Sequence, residues 1–423
     1  MGPLAGILDL PEATALRELD RDGRRLFLTR VVRMFAYGLL AVVLALYLAE
    51  AGLDDRQIGL VLSLTLAGDA VVSLWITTRA DRRGRRRMLL IGAGLMVLAG
   101  AVFASTRDPL LLTLAAIVGV ISPSGSEVGP FQAIEQAALP ETAPGAHRTQ
   151  LFAWYNLAGY LAGALGALVS GLAARELQAG GATPIDSYRA VLLGYAACGA
   201  LLALAFATLS PRVEVAAGAG QAAGLFGLHR SRGVVARFAA LSAIDSFAGG
   251  LVVQALIAYW FHIRFGVDPG VLGAIFFGTS LLAGISALAA ARIAARIGLL
   301  ETMVFTHIPS NLLLMLVPLM PSLPLAIATL LARSTMSQMD VPTRQSYLVA
   351  VVDPDERSSA AGVTGMARTL GSAGAPLLSG LLLAGGALSA PFILSGALKI
   401  AYDLGMLRGF RAVRPPEEQA RPA

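Results

Sequence analysis

Ionisable side chains that lie inside long apolar runs are the residues of this sequence best placed to do chemistry. The candidates are Arg33, Asp69, Glu127, Asp245, Asp340, Arg344 and Arg368. A charge in a hydrocarbon layer costs several kcal/mol unless it is paired or wetted. We therefore expect these side chains either to form ion pairs that change with conformation or to exchange protons.

Two of the acids stand beside prolines that bend helices, and each has an expected partner. Asp340 and Arg344 are four residues apart, so they share one helical face and can neutralise each other. Glu127 has no such neighbour, and Arg33, at a similar depth in the first apolar run, is its expected partner. Two interpretations stay open. These are structural ion pairs that close one side of the membrane, or carboxylates that take up a proton when the partner moves away.

Depth in the membrane suggests a third pair. Asp69 lies about 18 Å below the outer surface, counted at 1.5 Å per helical residue, and Arg368 about 16 Å. An ion pair between Asp69 and Arg368 is one hypothesis, and separate exposure of each side chain to a water-filled cavity is the other. Lys399 and Asp403, at i and i+4, are expected to neutralise each other, and His307 is expected to belong to a packed polar cluster with Ser310 and Asn311.

The apolar runs that must position these residues are membrane spans. Of 423 residues, 56% are hydrophobic and 14% charged, whereas soluble domains carry about 25% charge. Runs near the ~20 residues that cross a bilayer recur along the chain. They predict spans at 26–49, 57–78, 88–106, 109–131, 150–174, 190–209, 236–262, 270–291, 299–320, 323–345, 359–383 and 387–409.

Arginine counts orient these twelve spans. The termini and even-numbered loops hold 21 arginines, and the odd-numbered loops hold five. The positive-inside rule then places both termini in the cytoplasm. The net charge of +6 therefore indicates membrane orientation and not nucleic-acid binding. A single cysteine, Cys198, excludes a disulfide framework and a cysteine metal site within the chain.

The two halves of the sequence resemble each other. Glu127 and Asp340 stand 213 residues apart, and Ser170-Gly171 and Ser379-Gly380 stand 209 apart. Two similar halves that cross the membrane in the same orientation predict a substrate site at their interface. The predicted organisation is a cytoplasmic tail (1–25), a six-helix half (26–209), a cytoplasmic linker (210–235), a second six-helix half (236–409) and a cytoplasmic C-terminal tail (410–423).

The loop after the second span carries a recognisable motif. Asp81-Arg82-Arg83-Gly84-Arg85-Arg86-Arg87 resembles the cytoplasmic Gly-x-x-x-Asp-Arg-x-Gly-Arg-Arg loop of the major facilitator superfamily, with Thr77 in the leading glycine position. Gly84 allows a tight turn, and Arg83 and Arg85 suit headgroups or carbonyl ends. The resemblance implies that Asp81 faces the start of span eleven, at Ser358-Ser359. Further along the same span, Gly371–Pro376 predicts a kinked helix.

The resemblance implies an all-α integral membrane protein with twelve transmembrane helices in two six-helix pseudo-repeat halves around a central cavity. Tyr37, Tyr160, Gln254 and Phe277 are expected to line that cavity, although core packing explains each of them as well.

The expected activity is secondary active transport of a small organic solute across the inner (plasma) membrane by a monomer. Proton-coupled efflux is the first hypothesis. A uniporter, an uptake carrier and a non-transporting sensor of the same fold are the alternatives. The sequence contains no catalytic constellation, no metal site, no ATP-binding motif and no sign of a cofactor, so an enzyme is not expected.

Overall fold

The computed structural model describes residues 19–127, 129–139, 148–214, 229–353 and 356–413, and its regular structure in these ranges is helical. The helices are α1 (Arg21–Glu50), α2 (Asp55–Arg83), α3 (Arg85–Ser105), α4 (Pro109–Val118), α5 (Phe131–Ala138), α6 (Arg148–Ala179), α7 (Pro184–Ala207), α8 (Arg232–Gly250), α9 (Gln254–Phe265), α10 (Pro269–Ile297), α11 (Leu299–Leu316), α12 (Leu323–Ser334), α13 (Asp340–Val351), α14 (Arg357–Ala373), α15 (Ala375–Ala384) and α16 (Ala390–Phe410).

In the part of the chain that the structure describes, nine of the predicted spans correspond to long apolar segments, and the other three consist of two shorter helices each. Within the described ranges, nine segments are long and apolar enough to cross a membrane, and α8 with α9 counts as one of them. Spans four, ten and eleven are each built from two shorter helices: α4 with α5, α12 with α13, and α14 with α15. The prediction of an all-α membrane protein with twelve spans in two halves is confirmed.

The break in span four is a mostly buried stretch of irregular backbone that covers residues 119–127 and 129–130. Gly125 and Gly129 have φ values of 65° and 83°, which side chains rarely allow. Non-helical backbone is tolerated in a membrane only where protein or water satisfies its polar groups. The hydroxyl of Tyr195 donates to the Val120 carbonyl, and the Ser122 hydroxyl donates to the Ser126 carbonyl at 2.7 Å. The break is thus supported by side chains from this segment and from α7.

The breaks in spans ten and eleven each lie beside a proline. The α12 helix ends at Ser334, and α13 begins at Asp340, two residues before Pro342. In span eleven, α14 ends at Ala373 and α15 begins two residues later, with Pro376 in its first turn, where the missing N–H loses no hydrogen bond. The kink predicted within Gly371–Pro376 is therefore present.

Two compact units divide the described residues. Unit 1 takes its residues from Met1–Ala51, Gly68–Ala219 and Asp268–Phe277, and unit 2 takes the remainder. Each unit therefore contains a short segment from the other half of the sequence: the start of α10 joins unit 1, and Gly52–Ala67, which holds the start of α2, joins unit 2. The linker predicted at 210–235 lies partly outside the described residues, at 215–228.

Each borrowed segment packs through a pair of glycines. In unit 1, a Cβ on Gly171 of α6 would lie 2.8 Å from the Cα of Gly273 on α10. In unit 2, a Cβ on Gly59 of α2 would lie 2.9 Å from the Cα of Gly380 on α15. Backbones approach this closely only where both helices present small residues. The Ser-Gly repeat at 170–171 and 379–380 thus marks two equivalent helix contacts.

Alanine at Gly59 is expected to destabilise the protein by about 1–3 kcal/mol, because the new methyl group meets backbone that cannot rotate away. The Pro376 carbonyl oxygen would lie 2.5 Å from it. Thermal unfolding in detergent measures the effect. Gly94→Ala on α3 is the matched control, since its Cβ would meet nothing within 4 Å and alanine favours helix. Equal melting temperatures for the two variants would show that the glycine contact is unimportant.

Candidate functional site

A buried ion-pair cluster lies in unit 1 around Arg33 of α1. Its guanidinium donates to both carboxylate oxygens of Glu135 at 2.7 Å and, through Nε, to Glu127 at 2.8 Å. Arg33 and Glu135 are both 0% exposed. We call Arg30, Arg33, Glu127, Glu135 and Tyr155 the first-half cluster. A bidentate pair between two fully buried side chains holds α1 and α5 in a fixed register.

The neighbours of Arg33 complete the cluster. Arg30, one turn earlier on α1, forms an ion pair with Glu127 and stacks over the Tyr155 ring at 4.7 Å. The Tyr155 hydroxyl, on α6, donates to Glu135. Two arginines therefore face two glutamates, and the cluster is electrically balanced.

A second cluster lies in unit 2 around Asp245 of α8, and here one carboxylate serves three cations. Its Oδ1 accepts from Lys399 of α16 at 2.6 Å, and its Oδ2 accepts from Arg344 of α13 at 3.1 Å and from Arg368 of α14 at 2.9 Å. Arg344 also reaches Asp340 at 2.8 Å. We call these five residues the second-half cluster.

The two clusters occupy equivalent positions of the repeat with opposite charge at the centre. Arg33 and Asp245 are 212 residues apart, and Glu127 and Asp340 are 213 apart. The first cluster is thus centred on a cation held by two carboxylates. The second is centred on a carboxylate held by three cations. The ion pairs predicted for Glu127 with Arg33 and for Asp340 with Arg344 are both present.

One predicted pair of the second half is wrong. Lys399 does not neutralise Asp403 one turn along α16, because Lys399 donates to Asp245. Asp403 is 0% exposed and contacts α11 instead, where His307 Nδ1 lies 2.8 Å and Asn311 Nδ2 lies 3.3 Å from its two oxygens. The polar cluster expected on span nine therefore has a carboxylate at its centre.

Asp69 of α2 is an acid of a different kind. It is 8% exposed, and its partners are neutral: the Gly129 backbone N–H at 3.2 Å and the Ser73 hydroxyl at 3.4 Å. No described cation forms an ion pair with it. The predicted partner, Arg368, donates to Asp245 within unit 2, so each residue has other partners in this structure.

The motif loop turns as predicted at Gly84, whose φ is 97°. The backbone N–H groups of Arg85 and Arg86, which begin α3, donate to the carboxylate of Glu214 at 2.5 and 3.1 Å, and the Arg85 side chain donates to the Val213 carbonyl. A carboxylate suits the positive end of a helix. Arg83 is exposed. The Asp81 side chain lies outside the described residues, so its contact with span eleven stays a prediction.

The four residues predicted to line a cavity differ in exposure. Tyr37 is fully buried, and its hydroxyl lies beside Gly129. Tyr160, Gln254 and Phe277 are half-buried. Their role in solute contact stays a prediction.

Sequence reasoning missed Glu135, Tyr155 and Glu214. Glu135 was overlooked because span four was placed at 109–131, as one unbroken helix. The irregular stretch from Gly119 to Pro130 moves the second part of the span along the chain, to α5. Gly125 and Pro130, read together as a break, were the available signal.

Comparison with known proteins identifies the family of this fold. The model of the Major Facilitator Superfamily matches residues 26–331 and 238–423. An uncharacterized membrane protein of Saccharomyces cerevisiae, YJR124C, is 31% identical over 418 residues, covering 91% of this chain and 93% of that protein.

Solved structures share the fold at low sequence identity. A D-xylose–proton symporter superposes with a TM-score of 0.71 at 15% identity, covering 93% of this chain and 98% of the other. The nucleoside transporter NupG gives 0.71 at 16%, covering 93% and 100%. A bacterial homologue of the human lysosomal transporter Spinster, inward-facing and occupied, gives 0.68 at 16%, covering 95% and 98%. The chain belongs to the major facilitator superfamily.

Proposed function

We propose that this protein is a secondary active transporter that moves a small organic solute by alternating access and uses protons as the coupling ion. The observation that carries the proposal is Asp69, a buried carboxylate inside a span whose partners are neutral hydrogen-bond donors. An ionised carboxylate without a counter-ion is costly in such a place. Proton uptake and release at Asp69 would therefore change the relative stability of conformations.

The other buried acids are less suited to coupling. Glu127 is held by Arg30 and Arg33, and Asp340 by Arg344. Each such pair must separate before its carboxylate becomes protonated, and removing one partner of a buried pair costs about 3–5 kcal/mol. The structure therefore favours Asp69 over Glu127 and Asp340, the acids that the sequence first suggested.

Proton transport in liposomes tests the proposal. Purified protein is reconstituted with a pH-sensitive dye inside and given a panel of sugars, nucleosides and organic carboxylates. We expect at least one solute to move protons with it. Asp69→Asn should abolish the solute-dependent pH change and keep downhill solute flux. Glu176→Gln is the matched control, since that carboxylate is 69% exposed.

The other outcomes are equally specific. Solute flux without a pH change in the wild type would indicate a uniporter, and binding without flux would indicate a sensor. Full proton coupling in Asp69→Asn would exclude Asp69 as the coupling group.

We further propose that both termini are cytoplasmic and that the protein lies in the inner (plasma) membrane as a monomer. The arginine distribution, 21 on one side and five on the other, supports the orientation. Family membership supports a transporter over an enzyme.

A further inference from the structure

The second-half cluster carries more positive than negative charge. Asp245 and Asp340 face Arg344, Arg368 and Lys399, which leaves one positive charge unmatched. The first-half cluster, with two arginines and two glutamates, has no such excess. The imbalance is therefore a property of this one cluster and not of both halves of the repeat.

Neighbouring charges do not remove the excess. Asp403 adds one negative charge, but it binds His307 and Asn311 and none of the three cations. Arg333, at the end of α12, adds one positive charge, and its Nε is buried without a hydrogen-bond partner among the described residues. With neutral His307, three carboxylates thus face four cations, and a protonated His307 would enlarge the difference.

Arg368 is the most exposed cation of the second-half cluster, and it has unused hydrogen-bonding capacity. Its Nη1 donates to Asp245 at 2.9 Å, and this is its one hydrogen bond within the described structure. Its side chain is 33% exposed, against 7% for Arg344 and 11% for Lys399. One edge of the guanidinium is held by the buried carboxylate of Asp245. Its other edge is therefore accessible.

The depth of Arg368 indicates what its exposed edge faces. The residue is eleven positions after Arg357, the first residue of α14, which corresponds to about 16 Å of helix. A guanidinium at that depth faces water or an anion rather than lipid, because lipid would leave its charge unsatisfied. A planar fork with free N–H groups matches the two oxygens of a carboxylate.

We propose that Arg368 binds the carboxylate group of an organic monoanion, which is the transported solute. The single unmatched positive charge suits a group of charge −1 better than a phosphate monoester, which carries about −1.5 to −2 near neutral pH. The inference rests on the proposed function, because it names the chemical class of the solute.

Binding to purified protein tests the inference without requiring transport. The probes are three carboxylates and their uncharged amides: benzoate and benzamide, nicotinate and nicotinamide, hexanoate and hexanamide. We expect at least one carboxylate to raise the melting temperature in detergent more than its amide does. In Arg368→Gln that difference should vanish, and the affinity for the carboxylate should fall about tenfold or more. Arg368→Lys should keep part of it, since it keeps the charge and loses the fork.

Two controls keep the result interpretable. Asp245 retains Lys399 and Arg344 in Arg368→Gln, so this variant is expected to fold, and the melting temperature without probe verifies it. Arg292→Gln removes an exposed arginine outside the cluster and should leave binding unchanged.

Either of two results would overturn the inference: no carboxylate exceeds its amide in the wild type, or the difference persists in Arg368→Gln. Carboxylate binding without flux in liposomes would contradict the proposed function and leave the anion site standing.

Discussion

Asp245→Asn is expected to cause the largest loss of folded protein of any single change in unit 2. The substitution keeps the shape of the side chain and removes the negative charge that holds Lys399, Arg344 and Arg368. Three cations would then share Asp340 alone. Breaking one buried ion pair costs about 3–5 kcal/mol, and here three contacts weaken together. Size-exclusion chromatography and thermal unfolding in detergent measure the amount and stability of the folded protein.

A second substitution separates charge from shape. Asp245→Asn combined with Lys399→Gln removes one negative and one positive charge, so the excess in the cluster returns to its original value. The double variant should be more stable than Asp245→Asn alone, and a double-mutant cycle gives the coupling between the two residues. A single variant as stable as the wild type would mean that water already screens these cations.

Arg33→Gln is expected to have an effect of similar size in unit 1. Arg33 is 0% exposed and supplies three hydrogen bonds at 2.7–2.8 Å to Glu127 and Glu135. Without it, Glu135 keeps the hydroxyls of Thr29 and Tyr155 but loses its cation. An uncompensated buried charge of this kind destabilises by about 3–5 kcal/mol. Thermal unfolding of the purified variant measures the loss.

The same logic supplies the rescue and the control for Arg33. Arg33→Gln with Glu135→Gln removes both charges of the bidentate pair and should recover a large part of the lost stability, since two amides can still hydrogen-bond. Arg292→Gln, at an exposed position, should change the melting temperature little. If the double variant is no more stable than Arg33→Gln, the contribution of Arg33 comes from packing, including its contact with the Phe131 ring at 5.0 Å.

The opposite charges at the two cluster centres predict different behaviour of the two halves in the proposed transport cycle. In each unit a cluster ties the first span of a half to broken helices of that half: α1 to α5 through Arg33, and α8 to α13 through Asp245. One helix of a broken span can move as a rigid unit when an ion pair that holds it forms or breaks. We infer that the balanced first-half cluster holds its helices rigidly, and that the second-half cluster responds to an anion because it has one unmatched positive charge.

Sequence by itself determined the features that depend on local properties of the chain. Span positions follow from apolar length, and the turn at Gly84 follows from the freedom of glycine at positive φ. The pair of Asp340 with Arg344 follows from helical periodicity. Similar depth was enough to predict the pair of Arg33 with Glu127, which the structure contains.

Tertiary structure decided which side of each helix faces which neighbour, and this selected the remaining partners. Asp69 and Arg368 have similar depth, but depth fixes one coordinate only, and packing directs Arg368 to Asp245. Lys399 and Asp403 share a face of α16, yet each finds a better-placed partner, on α8 and on α11. Glu135 joined the first-half cluster because the break between Val118 and Phe131 shifted a helix. In a membrane interior, helix packing determines which charged side chains meet and excludes water from them. Helical spacing alone does not specify that packing.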